Sequence, residues 1–190
     1  MSISDTQICN LALLHVGAGR ITSLGDDASE EGIVCNILYQ PTVDEVLASA
    51  PWSCAIARRS LAQRSEDIVG EDYSYSYQLP SDPYCLTPLE MIGAESEEFK
   101  VEGRILYTNQ SEVDLRFIKR ITDPSQFDPL LVKAIAYRLA ADLAVTLSHS
   151  LNNRAAMIVM YEQQRKRAIA IDSQRRGKEK DTALFINSGR

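Results

Sequence analysis

The hydrophobic period of this chain changes twice. It is helical at the start, alternates between about residues 73 and 121, and is helical again from about residue 128. A helix buries one stripe with a 3.6-residue period, whereas a half-buried strand buries every second residue. The chain therefore has to place a β region inside a helical frame, which rules out an all-helical or an all-β fold.

The first helical stretch opens at Ser4-Asp5, which can cap a helix. Ile8, Leu11, Ala12, Leu14 and His15 follow at near-helical spacing, and Gly17-Ala18-Gly19 ends the run. His15 lies near the helix C-terminus, where a partly protonated imidazole suits the dipole. Asp26, Asp27, Ser29, Glu30 and Glu31 then crowd acid and cap chemistry into a second helix start. Its stripe runs from Ile33 to Leu47, with Pro41 predicting a kink or a split. Pro51-Trp52 marks a turn, and residues 53–63 read equally as a short helix or an extended strand.

Tyr73, Tyr75, Tyr77 and Leu79 alternate with polar residues. Phe99, Val101, Ile105 and Tyr107 flank Glu102-Gly103 as a hairpin, and Val113, Leu115 and Phe117 alternate again. These segments predict a small antiparallel meander. Asp128-Pro129 then opens a helix with a broad apolar face from Leu130 to Leu147. A final helix follows over about 153–173, its apolar positions including Met157, Ile158, Met160, Tyr161, Ala168 and Ile171. The expected fold is α+β. Residues 1–66 and 122–174 form an antiparallel bundle of about four helices, 67–121 form the inserted β-meander, and 175–190 form a flexible tail.

Charge is divided along the chain. The net charge is −6, but residues 1–128 hold 21 acids and 9 bases, a balance of −12, while 129–190 hold 5 acids and 11 bases, a balance of +6. The acidic average argues against a general nucleic-acid coat. The unequal ends suit a charged partner or a neighbouring copy. The four cysteines, at 9, 35, 54 and 85, form no C-x-x-C pair and read as buried reduced thiols. The first five residues lack the basic and apolar regions of a secretory leader, and no apolar run reaches the roughly 18 residues a membrane span needs.

A search for chemistry finds no standard constellation. His15 and His149 have no partners at metal-ligand spacing. Gly17-Ala18-Gly19 ends a helix instead of following a strand, so it is not a dinucleotide loop. No serine lies in a nucleophile elbow. The pairs Asp26-Asp27 and Glu97-Glu98 diverge as neighbouring residues do, which suits solvation better than acid–base work. No catalytic residue, metal ligand or cofactor site is expected, and the absence of every standard constellation makes a small hydrolase with an unrecognised site the least supported reading. Arg165-Lys166-Arg167 and Arg175-Arg176 make a basic stretch without interleaved aromatics. That leaves a DNA-binding packaging or regulatory factor as the alternative function. Leu184-Phe185-Ile186 is an apolar triplet in a polar tail, a candidate for docking on another subunit.

One further pattern is an order of short motifs. Leu24-Gly25-Asp26-Asp27-Ala28 follows the first helix, and Pro51-Trp52 and Ala57-Arg58-Arg59-Ser60-Leu61-Ala62 follow the second. Tyr77-Gln78-Leu79-Pro80, Val101-Glu102-Gly103-Arg104-Ile105-Leu106, Ile121-Thr122-Asp123-Pro124 and Phe127-Asp128-Pro129-Leu130 come next, then Leu139-Ala140-Ala141-Asp142-Leu143-Ala144. Over about residues 5–173 this order resembles the tail tubular protein A family, the head-to-tail adaptors of tailed bacteriophages. Where that family often has Asn-Phe after Pro-Trp, this chain has Ser53-Cys54.

The resemblance implies a non-enzymatic protein of the virion, made in the host cytoplasm. It implies a homo-oligomeric ring of twelve copies between the portal protein and the tail nozzle or tail tube protein, with DNA passing through without sequence-specific binding. Under that reading Trp52, Arg58, Arg59, Arg175, Arg176, Leu184, Phe185 and Ile186 are the candidate contacts to subunit, portal or tail.

Overall fold

The computed structural model describes residues 3–65, 72–93 and 99–175. The fold is α+β. Its helices are α1 (Asp5–Val16), α2 (Glu30–Ala48), α3 (Pro129–Thr146) and α4 (Leu151–Arg175). Its strands are β1 (Ile56–Ser60), β2 (Tyr75–Gln78), β3 (Cys85–Met91), β4 (Lys100–Glu102), β5 (Ile105–Thr108) and β6 (Asp114–Lys119). The chain divides into a mainly β unit, Tyr39–Gln126 with the first residues, and a helical unit made of Asp5–Leu38 and everything from Phe127.

In the helical unit α1 packs on α3, and α3 packs on α4. Helix α1 turns Ile8, Cys9, Ala12, Leu13 and Val16 inward. The loop after it is tied back by Asn10, whose Nδ2 donates to the Ile21 carbonyl (3.0 Å) and whose Oδ1 accepts from the Ile21 N–H (2.9 Å). Asp27 collects the next turn, accepting from Thr22 N–H and from both the N–H and the hydroxyl of Ser29. Gly32 sits so close to this turn that a Cβ would lie 2.4 Å from the Asp27 carbonyl oxygen, so only glycine fits. Helix α3 starts as its sequence requires. Asp128 accepts from Leu130 N–H (2.9 Å), and Pro129 occupies the first helical position. Ten of its residues are buried, five of them alanines that allow close helix approach. A short connection brings α4 back beside α3, where Gln164 Nε2 donates to the Leu130 carbonyl (3.1 Å).

Helix α2 is not split. It continues through Pro41. The proline removes the bond to the Ile37 carbonyl, but Ile37 and Pro41 are both exposed to solvent. The boundary between the two units, at Leu38/Tyr39, falls in this same turn.

The β unit holds two three-stranded antiparallel sheets, ordered β1-β6-β3 and β2-β5-β4, not one meander. The expected limit of the β region at residue 67 also moves. Residues 56–60 extend as β1 and pair with β6, Ile56 opposite Ile118 and Ser60 opposite Asp114. Strand β6 is central because Leu115, Phe117 and Ile118 are all buried and need cover on both faces. Pro88 lies in β3, at the edge of that sheet and beside a register shift, where a missing N–H is tolerated. Strands β4 and β5 form the expected hairpin, with Gly103 in the left-handed region (φ +59°). Tyr77, Leu79, Cys85, Leu106, Leu115 and Phe117 make up the centre of this core.

Candidate interaction surfaces

Trp52 is not a surface contact. It is 2% exposed, and its indole Nε1 donates to the Val46 carbonyl (2.9 Å), closing the turn after α2. A large aromatic ring next to a buried helix end gains more from burial than from exposure. Arg58 and Arg59 do reach the surface, at successive positions of β1 and so on opposite faces of the strand. Arg58 lies opposite Arg116 in the ladder, and the Arg59 guanidinium donates to the Asp82 carbonyl. Arg175 is exposed at the end of α4 and pairs with Asp128, the cap of α3. Arg176, Leu184, Phe185, Ile186 and the rest of the expected tail lie outside the described residues.

The arginines of the β unit are largely committed. Arg104 donates to the carbonyls of Leu79, Pro80 and Cys85 and lies 4.0 Å from the centre of the Tyr84 ring. Arg120 lies 4.4 Å from the centre of the same ring and pairs with Asp44 (2.5 Å). Arg116 pairs with Glu90 (2.7 Å). These guanidiniums hold the loop around Tyr84, tie β6 to β3, and tie the end of β6 to α2. A phosphate would have to compete with those partners. On α4, Arg165 pairs with Glu162 (3.0 Å), so the exposed Lys166 and Arg167 carry the freer charge of that basic run.

An open cleft of about 550 Å³ lies in the β unit, lined by residues that include Ser60, Tyr77, Met91, Glu112 and Asp114. Ser60 Oγ donates to the Asp114 carboxylate, but the two are cross-strand neighbours and no imidazole joins them. The Tyr77 hydroxyl donates to the Gln110 carbonyl (2.8 Å). The arrangement closes a sheet edge and lacks the nucleophile–base–orienter geometry of a hydrolase. Among the described residues no group of three or more His, Cys, Asp or Glu could hold a metal ion.

Cys9, Cys35 and Cys85 are buried, Cys54 is half-buried, and none of the four is in a disulfide. The hydrogen bond between Cys9 and Cys35, together with burial, holds the Cys9 thiol well above its usual pKa. His15 differs from expectation. The Tyr137 ring stacks on it at 4.5 Å, and desolvation lowers its pKa, so the neutral form is favoured despite the helix end.

The surface that sequence reasoning missed is the first half of α4. Every residue from Leu151 to Met160 is exposed except Met157, which is half-buried. Leu151 is 71% exposed and Val159 54%. In the whole 25-residue helix only Tyr161 and Ala168 are buried. Of the apolar positions expected to enter the bundle, Tyr161 and Ala168 do so and Met157 and Ile171 are half-buried, whereas Ile158 and Met160 stay exposed. A signal was present: Ala155 to Met160 are six consecutive apolar residues, more than one helix face can hide. Helix α2 shows a second apolar face in the same unit, Ile33 (53% exposed) and Ile37 (64%).

Among the described residues no helix is long and apolar enough to cross a membrane. No protein-family model matches the chain, and no curated protein matches it.

Proposed function

We propose that this chain is a head-to-tail adaptor of a tailed bacteriophage, of the tail tubular protein A type. In this reading it acts as a non-enzymatic structural subunit. Copies associate head to tail into a closed ring, twelve by the family resemblance, between the portal protein and the tail nozzle. DNA crosses the ring without being gripped.

The observation that carries the reading is the exposed apolar first half of α4. The run Ala155 to Met160 puts apolar residues on more of the helix than its packing on α3 covers, and all of them except Met157 are exposed in the single chain. A ring needs a heterologous interface, two unlike patches on one subunit. The helical unit has unlike patches of this kind on α4 and α2. The order of motifs over residues 5–173 supports the family, and the division of charge suits unlike surfaces meeting.

The test is electron microscopy with light scattering, on the protein alone and mixed with its portal. Rings, alone or seated on portal, are the expected result. A chain that stays monomeric in both conditions refutes the reading. The alternative, a DNA-binding packaging or regulatory factor, rests on Lys166, Arg167 and Arg175. It requires a mobility shift that weakens with salt.

A further inference from the structure

We propose that the two exposed apolar faces of the helical unit are the two halves of one interface. The α2 face of one copy receives the α4 face of the next copy, with the helices antiparallel, Ile37 against Val159 and Glu30 against Lys166. The choice of a second copy as the occupant rests on the ring reading above. The pairing of faces and its register rest on the following geometry.

On α4, Leu151, Ala155, Ile158 and Val159 fall at i, i+4, i+7 and i+8, so they form one stripe. On α2, Ile33 and Ile37 are four apart and share a face. Both faces are exposed in the single chain. Their flanks carry opposite charge. Residues 5–38 hold five acids and one base, with Glu30 and Glu31 opening α2. Helix α4 holds five bases and two acids, and Arg165, Lys166 and Arg167 follow its apolar half after Tyr161-Glu162-Gln163-Gln164.

The order of these features sets the direction. Along α2 the chain runs from acid to apolar, and along α4 it runs from apolar to base. Apolar can meet apolar while acid meets base only if the two helices run antiparallel. The spacing then sets the register. Glu30 lies seven residues before Ile37, and Lys166 lies seven residues after Val159. Both intervals are two turns, about 10.5 Å at 1.5 Å per residue. Seating Val159 on Ile37 therefore brings Lys166 to Glu30 and Ala155 to Pro41, and sets Ile33 opposite Gln163. Both of these charged side chains are exposed. Antiparallel helices also oppose their dipoles, which favours this pairing over the parallel one. Because the two faces are unlike, each subunit keeps one of each to offer, as a closed ring requires.

The test uses the full chain, with its portal if the free protein is monomeric, in a Cys54→Ser background. One preparation carries Ile37→Cys and a second carries Val159→Cys. Mild oxidation of the mixture is expected to give a disulfide-linked dimer containing one of each, and neither preparation alone should give it in comparable yield. Separately, Glu30→Lys and Lys166→Glu should each weaken assembly about tenfold, and the double variant should recover most of that loss, as a direct charge pair does in a double-mutant cycle. Visible rings with no mixed disulfide, and with charge reversals that act additively or not at all, would overturn the pairing of faces and leave the ring reading standing. A protein that stays monomeric with and without portal overturns both.

Discussion

His15 carries an imidazole whose protonation is coupled to folding. Loss of water on partial burial lowers its pKa below the ordinary 6.5. The unfolded chain then binds the proton at a higher pH than the folded chain does. Stability is fully present above about pH 6.5 and declines as pH falls from there toward the folded pKa. Denaturant unfolding between pH 7.5 and 5 should show this slope, and His15→Gln should flatten it. An unchanged slope in the variant would show that another group is responsible. Asp27 acts in a separate acid window. Hydrogen bonds from the Ser29 hydroxyl and from the N–H groups of Thr22 and Ser29 hold its pKa at about 2 against an ordinary 3.8, so its contribution is lost only as pH falls through that interval. Asp128 has two roles, capping α3 and pairing with Arg175. Asp128→Ala should cost about 1 kcal/mol in urea titrations, the usual value of an N-cap. Arg175→Ala should cost well under that, because exposed ion pairs contribute little. Equal losses from the two would mean that the ion pair, not the cap, holds the helix start.

At the scale of whole elements, α3 and α4 respond oppositely to the same kind of change. Leu139 is fully buried in α3, so Leu139→Ala should cost about 2–5 kcal/mol of unfolding free energy. Val159 is an exposed valine on α4, and Val159→Ser should stay within about 0.5 kcal/mol of the parent while impairing assembly. A large stability loss from Val159→Ser would mean that α4 is held by its own chain and needs no partner. The same contrast explains what could be read in advance. Asp128-Pro129 and the Glu102-Gly103 turn were legible because capping and turn chemistry act over a few residues. The pairing of β1 with β6 was not. Residues 56–60 meet residues 114–118, and no local pattern encodes a partner nearly sixty positions away. Trp52 misled for a related reason: an aromatic ring beside a turn looks alike in sequence whether it closes a core or docks a neighbour. On α4, apolar residues at helical spacing imply burial but do not say in which chain.

Across the whole molecule, the division of charge matters more than its sum. The chain carries −6 in total, so the proposed ring of twelve would carry −72, yet 129–190 alone is +6. If the basic α4 turns toward the acidic start of α2 on the next copy, its charge is spent between subunits and is withdrawn from DNA. An assembled ring should then bind duplex DNA more weakly than its basic stretch suggests. In about 150 mM salt and at about 0.1 μM protein, little or no shift of a duplex is expected, since even ordinary non-specific binders have Kd of about 10⁻⁴–10⁻⁶ M there. Lowering the salt is the decisive arm. A DNA-binding factor gains affinity steeply, with a log–log slope that counts its phosphate contacts. An adaptor whose bases face a neighbour should show little gain once assembled, and Glu30→Lys, by breaking that contact, should free Lys166 and raise it. A steep salt slope in the intact ring would mean that the bases of α4 face the DNA, and would turn the function toward gripping DNA instead of conducting it.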